Sequence, residues 1–279
     1  MDPLDSLAAE FCSANDLTFV GFVGAGAFKR AYHVTTGSGV ALALKIVDPA
    51  TSSVDRTVRE IEALQQCRSP RLSRYHSSGT IPFGDTSATY LIEEFFTEGT
   101  LSDMLSKGEL LCAGTIITFA RALGEALAEL STLRLVHRDI KPDNIMFRKD
   151  DPIPVLTDFG LVRNLGRSSL TPSWQPQGPG TPMFSSPEQL NNEKILIGWR
   201  TDQFALGLVL GFSFTGRHPF RANGMSDYDA ICAVADRKQP SREFVEAAKA
   251  NDLHQLITML HPWPAGRFPT PEKLLTALQ

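Results

Sequence analysis

The stretch His137-Arg138-Asp139-Ile140-Lys141-Pro142-Asp143-Asn144, with Asp158-Phe159-Gly160 after it, concentrates more chemistry than any other part of this 279-residue chain. It has no apolar repeat, and its proline and polar neighbours place it in an irregular loop. Within that loop an Asp, a Lys and an Asn stand at offsets 0, +2 and +5, and a second Asp lies nineteen residues beyond Asp139. Such a loop can converge these groups on one point.

Outward from the loop, the two halves of the chain differ. On its amino side, Ile116, Phe119, Ala120, Leu123, Leu127 and Leu130 trace one face of a long helix over Ala113–Leu133. Further back, Thr18–Val23, Phe28–Thr35 and Ala41–Val47 are short runs of β-branched, aromatic and aliphatic residues, separated by glycines at 24, 26, 37 and 39. That grammar predicts three antiparallel strands. Val58, Ile61 and Leu64 predict one amphipathic helix over Asp55–Cys67, stopped by Ser69-Pro70, and two more strands follow near Ser73–Ile81 and Thr89–Phe95. Leu4, Leu7, Ala8 and Phe11 mark a short helix at the amino end. Beyond the loop, polar segments fill 137–190 and helical patterns resume at Thr201–Phe214, Asp227–Asp236, Asp252–Leu260 and Pro271–Leu278. A strand-rich amino half joined to a helix-rich carboxyl half predicts an α+β fold.

In the amino half, Gly24-Ala25-Gly26 reads either as an ordinary hairpin turn or as a loop whose backbone N–H groups close over phosphates, where a Cβ would block the approach. Lys45 ends an apolar strand, so it either snorkels to solvent or meets an anion. Glu60, fifteen residues on, is its natural partner.

Taken in order, these sites resemble the eukaryotic-type protein kinase family, whose catalytic loop and metal motif match His137–Asn144 and Asp158–Gly160 residue for residue. The resemblance runs from about Leu17 to Leu278 and includes Ser186-Pro187-Glu188, similar to the family's Ala-Pro-Glu, then Asp202 and Arg267. It implies a bilobal fold: an N-lobe over 1–96, a small antiparallel sheet with one main helix, and a larger, mostly helical C-lobe over 97–279, the whole forming a single catalytic domain over 1–279. It implies ATP and Mg²⁺ as well. By the same resemblance Lys45 holds the α- and β-phosphates and Glu60 pairs with it; Asn144 and Asp158 bind Mg²⁺; Asp139 orients the acceptor hydroxyl and takes its proton; Lys141 neutralises the γ-phosphate. Lys141 at that offset is the Ser/Thr form of the loop. Val23, Ala31 and Ala43 roof the adenine, Met146 floors it, Gly24, Ala25 and Gly26 cover the phosphates, and Glu94 is the hinge acid. Met146 is longer and Ala31 smaller than the family's usual Leu and Val, so one offsets the other. His137, Phe159 and Leu64 match a packing stack, Glu188 and Arg267 a buried ion pair, and Asp202 a brace for the catalytic-loop backbone.

Some positions depart from the family's pattern. Lys29 stands where its third glycine falls, either adding attraction for phosphates or pointing outward. Counting back from Gly99-Thr100-Leu101 puts Glu93 beside the adenine pocket, normally an apolar or Thr position; either it borrows a buried partner or a hinge insertion shifts the register by one, and the shift is the reading adopted. The segment between Asp158 and Glu188 holds Ser168, Ser169, Thr171 and Ser173 as candidate autophosphorylation sites, which Arg138 could order through an Arg–phosphate contact. Thr181 resembles a threonine that bonds the catalytic Asp and Lys, and is a secondary acceptor candidate. Leu161 resembles the residue associated with preference for serine.

Composition narrows the alternatives. Twenty-seven basic against 31 acidic residues leave a net charge of −4, so no global basic field attracts nucleic acid. The longest apolar run, Phe204–Phe214, is glycine-broken and about half the roughly 20 residues of a membrane span, so no membrane segment is expected. The acidic MDPLDSLAAEF start and four scattered cysteines without metal-site spacing predict a cytoplasmic protein with free thiols. The implied activity is transfer of the γ-phosphate of ATP to Ser or Thr of a protein substrate, by a monomer or by a transient dimer during autophosphorylation. Two competing functions are a pseudokinase acting as a binding module, and a kinase-like phosphotransferase for small molecules. The first would have lost Lys45, Asp139, Asn144 or Asp158, and the second would lack the Ser-Pro-Glu segment; the chain keeps them all.

Overall fold

A computed structural model describes residues 2–25, 29–47, 49, 54–160, 162–165 and 182–279. The chain divides into two compact units, Met1–Arg68 with Ser73–Thr97, and Ser69–Leu72 with Glu98–Gln279.

The first unit starts with α1 (Pro3–Ala14), which begins where Asp2 accepts a hydrogen bond from the Leu4 N–H at 2.9 Å and Pro3 occupies the first turn. Then come β1 (Leu17–Ala25), β2 (Lys29–Thr36), β3 (Ala41–Val47), α2 (Val54–Gln66), β4 (Tyr75–Phe83) and β5 (Thr86–Glu94). The strands form one antiparallel sheet in the order β1-β2-β3-β5-β4. Side chains alternate between its faces. Tyr32, Val34, Leu42, Leu44, Ile46 and Ile92 project to the face covered by Leu4, Leu7, Ala8 and Phe11 of α1 and build the unit's core. Asp5 of α1 locks that packing by accepting from Arg30 at 2.9 Å and from the Tyr32 hydroxyl at 3.0 Å. The opposite face of the sheet carries Ala31, Ala43 and Lys45.

The second unit contains α3 (Leu101–Ser106), α4 (Ala113–Thr132), β6 (Leu135–Val136), β7 (Ile145–Arg148), β8 (Asp151–Leu156), β9 (Arg163–Asn164), α5 (Pro187–Leu190), α6 (Trp199–Thr215), α7 (Asp227–Ala235), α8 (Arg242–Ala250), α9 (His254–Met259) and α10 (Pro271–Ala277). Helix α4 buries the predicted apolar face against α6, α10 and β8. Helix α6 is buried on nearly every side, from Thr201 to Gly211, and its glycines allow close neighbours: a Cβ on Gly211 would come within 2.7 Å of Pro219. It ends at Gly216, whose φ of +68° is the left-handed conformation glycine adopts without strain. Ser69–Leu72 belongs here because the Ser69 N–H donates to Glu129 of α4 at 2.6 Å and the Leu156 N–H to the Arg71 carbonyl at 3.0 Å.

The fold is thus α+β, as the sequence pattern predicts, with differences confined to particular segments. The sequence predicts polar loops over 137–190, yet β7 and β8 form a two-stranded ladder inside it; Pro152 and Pro154 mask the strand signal, and a two-stranded sheet tolerates prolines because each strand has an unpaired edge. Helices α5 and α8 are not marked in the sequence pattern. Helix α8 buries only one narrow stripe, Phe244 and Ala248, among the charged Arg242, Glu243, Glu246 and Lys249. No helix among the described residues is long and apolar enough to cross a membrane.

Candidate active site

In the second unit, the loop after β6 is fixed from beneath by α6. Asp202, buried on that helix, accepts from the backbone N–H groups of His137 at 2.7 Å and Arg138 at 2.8 Å. Burial pushes the Asp202 carboxyl above its ordinary value, partly offset by His137 and the two backbone donors. The loop is also held through Arg138, whose carbonyl accepts from the Gln189 amide of α5 at 2.8 Å and whose φ is +71°. His137 is fully enclosed. Its Nε2 lies 3.0 Å from the Thr157 carbonyl, which can only accept, and its Nδ1 takes the Asp139 N–H at 3.3 Å. Both ring nitrogens are therefore occupied in the Nε2–H tautomer, and the ring packs edge-on to Phe159 with centroids 5.1 Å apart. This is a packing role. Leu64, the third member of the expected stack, is buried in the first unit.

On this frame three expected residues meet. The Asp139 Oδ2 accepts from Lys141 Nζ at 2.9 Å and from Asn144 Nδ2 at 3.0 Å, and Asn144 Nδ2 also donates to the Asp139 carbonyl at 2.8 Å. With its amide nitrogen spent on Asp139, Asn144 presents Oδ1 as an acceptor. The chain returns along β7 and β8, and the Thr157 N–H donates to the Asn144 carbonyl at 2.9 Å, setting the start of Asp158-Phe159-Gly160 beside the loop. Asp158 adopts φ +62° and its Oδ1 accepts from the Gly160 N–H at 3.3 Å. A carboxylate and an amide oxygen are hard donors, and Mg²⁺ takes one or two such ligands beside waters and phosphate oxygens, so the donor set fits that ion. Met146 is half-buried on β7, bridged to Thr100.

The expected buried ion pair is present. Arg267 grips Glu188 with two parallel bonds, Nη1–Oε1 at 2.6 Å and Nη2–Oε2 at 3.0 Å, both side chains being 0% exposed. Its other three N–H groups reach the carbonyls of His261, Arg200 and Pro262, so all five donors are satisfied. Burial pulls the guanidinium below its usual value while Glu188 pulls it back up. Another buried group went unnoticed in the sequence: His218 bonds the Met183 carbonyl through Nε2 at 2.9 Å and takes the Phe220 N–H on Nδ1 at 3.2 Å. Burial lowers its pKa to about 4.

In the first unit the register places Ala31, Lys45 and Leu91 in one row across β2, β3 and β5, and His33, Ala43 and Glu93 in the next. Here one expectation needs correction. The β3–β5 ladder runs from Val47 opposite Thr89 to Leu42 opposite Glu94 without a shift, which sets Glu93 opposite Ala43; the hinge, where an insertion would fall, follows this ladder. Glu93 has a charged partner, the half-buried Lys45. Lys45 therefore does not pair with Glu60: the latter, on α2, binds Lys29 at 2.6 Å, so Lys29 neither points outward nor stands apart from other charges. Lys45 and Glu93 are diagonal neighbours on one sheet face, within reach of a long side chain, whereas a Lys45–Glu60 pair depends on where a separate helix lies. Glu94 ends β5, its N–H donating to the Arg74 carbonyl at 2.9 Å. Val23 and Ala25 are exposed, and a Cβ on Gly24 would meet nothing within 4 Å, leaving that backbone approachable. Gly26, Leu161, Ser168, Ser169, Thr171, Ser173 and Thr181 lie outside the described residues.

Comparison with known proteins gives a consistent result. A family model described as "Protein kinase domain" matches residues 17–276. Among curated proteins, the serine/threonine-protein kinase RAD53 of Saccharomyces cerevisiae is 26% identical over 256 residues, covering 86% of this chain and 30% of its own length. The probable serine/threonine-protein kinase PkwA of Thermomonospora curvata is 29% identical, covering 92% and 33%, and the serine/threonine-protein kinase AfsK of Streptomyces coelicolor 28%, covering 93% and 31%. The chain spans about a third of the length of these relatives.

Proposed function

The chain belongs to the protein kinase family, and from that premise we propose that it is an ATP- and Mg²⁺-dependent serine/threonine kinase acting on protein hydroxyls, its residues 1–279 forming one catalytic domain. The observation that carries the reading is the convergence of Lys141 and Asn144 on the Asp139 carboxylate, on a loop braced by Asp202. Phosphoryl transfer needs positioned charge more than covalent chemistry, and this cluster supplies it.

Asp139 aligns the acceptor hydroxyl; as the bond between that oxygen and the γ-phosphorus forms and the bond to the β,γ-bridging oxygen breaks, the hydroxyl proton passes to the carboxylate and ADP leaves. Lys141, already beside Asp139, balances charge on the transferring group. Asn144 and Asp158 hold Mg²⁺, which supplies charge neutralisation on the phosphates when bound. Lys45 holds the α- and β-phosphates, the backbone of Val23–Gly26 covers them, and Ala31, Ala43, Glu94 and Met146 contribute to the adenine site. Autophosphorylation at Ser168, Ser169, Thr171 or Ser173, with Thr181 secondary, belongs to the same proposal. So do a preference for serine at Leu161, a monomer that dimerises only transiently, and a cytoplasmic setting, consistent with four free cysteines.

The test is transfer of label from γ-³²P-ATP with Mg²⁺ by purified wild type and Asp139→Asn, followed by phosphoamino-acid analysis and site mapping. Label on Ser or Thr of the chain or an added protein, lost in the variant, is expected. Tight Mg-ATP binding with no label on any protein would favour a pseudokinase, and label on small molecules alone a different acceptor.

A further inference from the structure

We propose that Glu93, not Glu60, is the residue that positions Lys45. The inference rests on the reading of Lys45 as the phosphate-binding lysine and deepens it by naming what holds that lysine in place. Three observations carry it. Glu93 pairs with Lys45, their side chains being 4% and 13% exposed. Glu60 is engaged elsewhere, by Lys29 at 2.6 Å. The Glu93 Oε2 is buried with no hydrogen-bond partner, so Lys45 is the group that compensates this carboxylate.

The geometry follows from the sheet. Lys45 faces Leu91, Glu93 faces Ala43, and the two charged residues sit diagonally across adjacent strands, so their separation is set by an uninterrupted backbone ladder. A lysine held by a helix moves with the helix; one held by its neighbouring strand does not. The other charged or titratable groups on this face of β2 are Lys29, which lies opposite Val47 and binds Glu60, and His33, which lies opposite Ala43 and stacks its ring on Phe95 at 4.1 Å. Glu93 is thus the carboxylate that Lys45 meets on its own face. An ammonium has three N–H donors, and one directed at Glu93 leaves two for phosphate oxygens. Position and phosphate binding are then compatible in one conformation. The pair Lys29–Glu60 does a separate job, tying α2 to the start of β2.

The experiment reads the amine directly, in the nucleotide-free 279-residue chain, so it does not depend on turnover. Wild type, Glu93→Gln and Glu60→Gln are pulsed with an N-hydroxysuccinimide acetate ester, and acylation of Lys45 and Lys29 is timed by mass spectrometry. Glu93→Gln is near-isosteric, and labelling of the remaining lysines reports whether the fold is kept. If Glu93→Gln fails to fold, Glu93→Asp, which keeps the charge at a shorter reach, is read instead. Lys45 labelling is expected to change at least fivefold in Glu93→Gln, or about twofold in Glu93→Asp, and by less than twofold in Glu60→Gln; Lys29 is expected to respond to Glu60→Gln. A Lys45 rate that follows Glu60 and ignores Glu93 overturns the proposal. As a functional readout, Glu93→Gln is expected to raise the KM for ATP at least fivefold more than it lowers kcat, with partial rescue in Glu93→Asp. A gain in activity on losing the carboxylate would mean that Glu93 sequesters Lys45 rather than presents it, and also overturns the proposal. A wild type without phosphotransfer refutes the kinase reading alone, because the labelling result still decides which acid holds Lys45.

Discussion

Replacing Arg267 by Met deletes the cation of a fully enclosed pair while keeping most of its volume. The side chain loses two bonds to Glu188 and three to the carbonyls of Arg200, His261 and Pro262, and its guanidinium no longer lies over the Phe204 ring at 4.5 Å. Glu188 is left at 0% exposure with the Thr201 hydroxyl, 3.0 Å away, as its remaining side-chain donor. An uncompensated buried charge costs about 3–5 kcal/mol. For a chain of this size that corresponds to a fall in Tm of roughly 6–20 °C, at about 2–4 °C per kcal/mol. Arg267→Lys is expected to recover little, because an ammonium cannot reproduce the parallel fork. Urea unfolding at neutral pH measures the single variants and the double variant Glu188→Gln/Arg267→Met. The double variant no longer buries a lone charge, so its loss is expected to be smaller than the sum of the singles by about 1–3 kcal/mol. A loss below about 1 kcal/mol for Arg267→Met, or strict additivity in the cycle, refutes this account of the pair.

His218 predicts a specific acid response. Its pKa falls from 6.5 in the unfolded chain to about 4 in the fold, so the unfolded state binds the proton first; the stabilisation is complete above pH 6.5 and is lost as pH falls toward 4. The loss amounts to about 3 kcal/mol, and urea titrations from pH 7 to 4 are expected to show it in wild type and to lack it in His218→Gln. Gly211→Ala forces a methyl group to 2.7 Å from Pro219 and 2.9 Å from Phe244, so it is expected to cost about 1–3 kcal/mol by thermal unfolding. Met146→Ala is expected to weaken ATP binding by about threefold to tenfold by calorimetry, through loss of apolar surface from the proposed adenine site.

Much of the architecture is legible because it rests on local periodicity. Apolar residues at helical spacing mark α1, α2 and α4, and short alternating runs between glycines mark β1 to β3. The loop chemistry is legible for a related reason: Asp139, Lys141 and Asn144 are five residues apart at most, so short-range backbone geometry alone brings them together. The partner of Lys45 is not legible in this way. It depends on which residue of β5 lies across from β3, a register set by the whole ladder, and on Lys29 having claimed Glu60. The signal was present in the periodicity of two: once Leu91 is placed opposite Lys45, Glu93 is the next side chain on that face. His218 was missed for a different reason. A lone histidine before Pro219 carries no pattern, and only its burial and its two backbone partners give it a role. Helix α8 gives a weak signal because it is short and only Phe244 and Ala248 are buried among its charged residues, and the β7–β8 pair is masked by prolines at an unpaired edge.

The most direct test of the catalytic assignment separates binding from transfer in one protein preparation. Mg-ATP affinity and single-turnover phosphate transfer are measured on wild type and on Asp139→Asn. Asp139 is assigned to the acceptor hydroxyl and not to the nucleotide, so affinity is expected to stay within about threefold while transfer falls by about 10²–10⁴-fold. Transfer that survives in Asp139→Asn, or a wild type that binds Mg-ATP and moves no phosphate to any hydroxyl, contradicts the assignment.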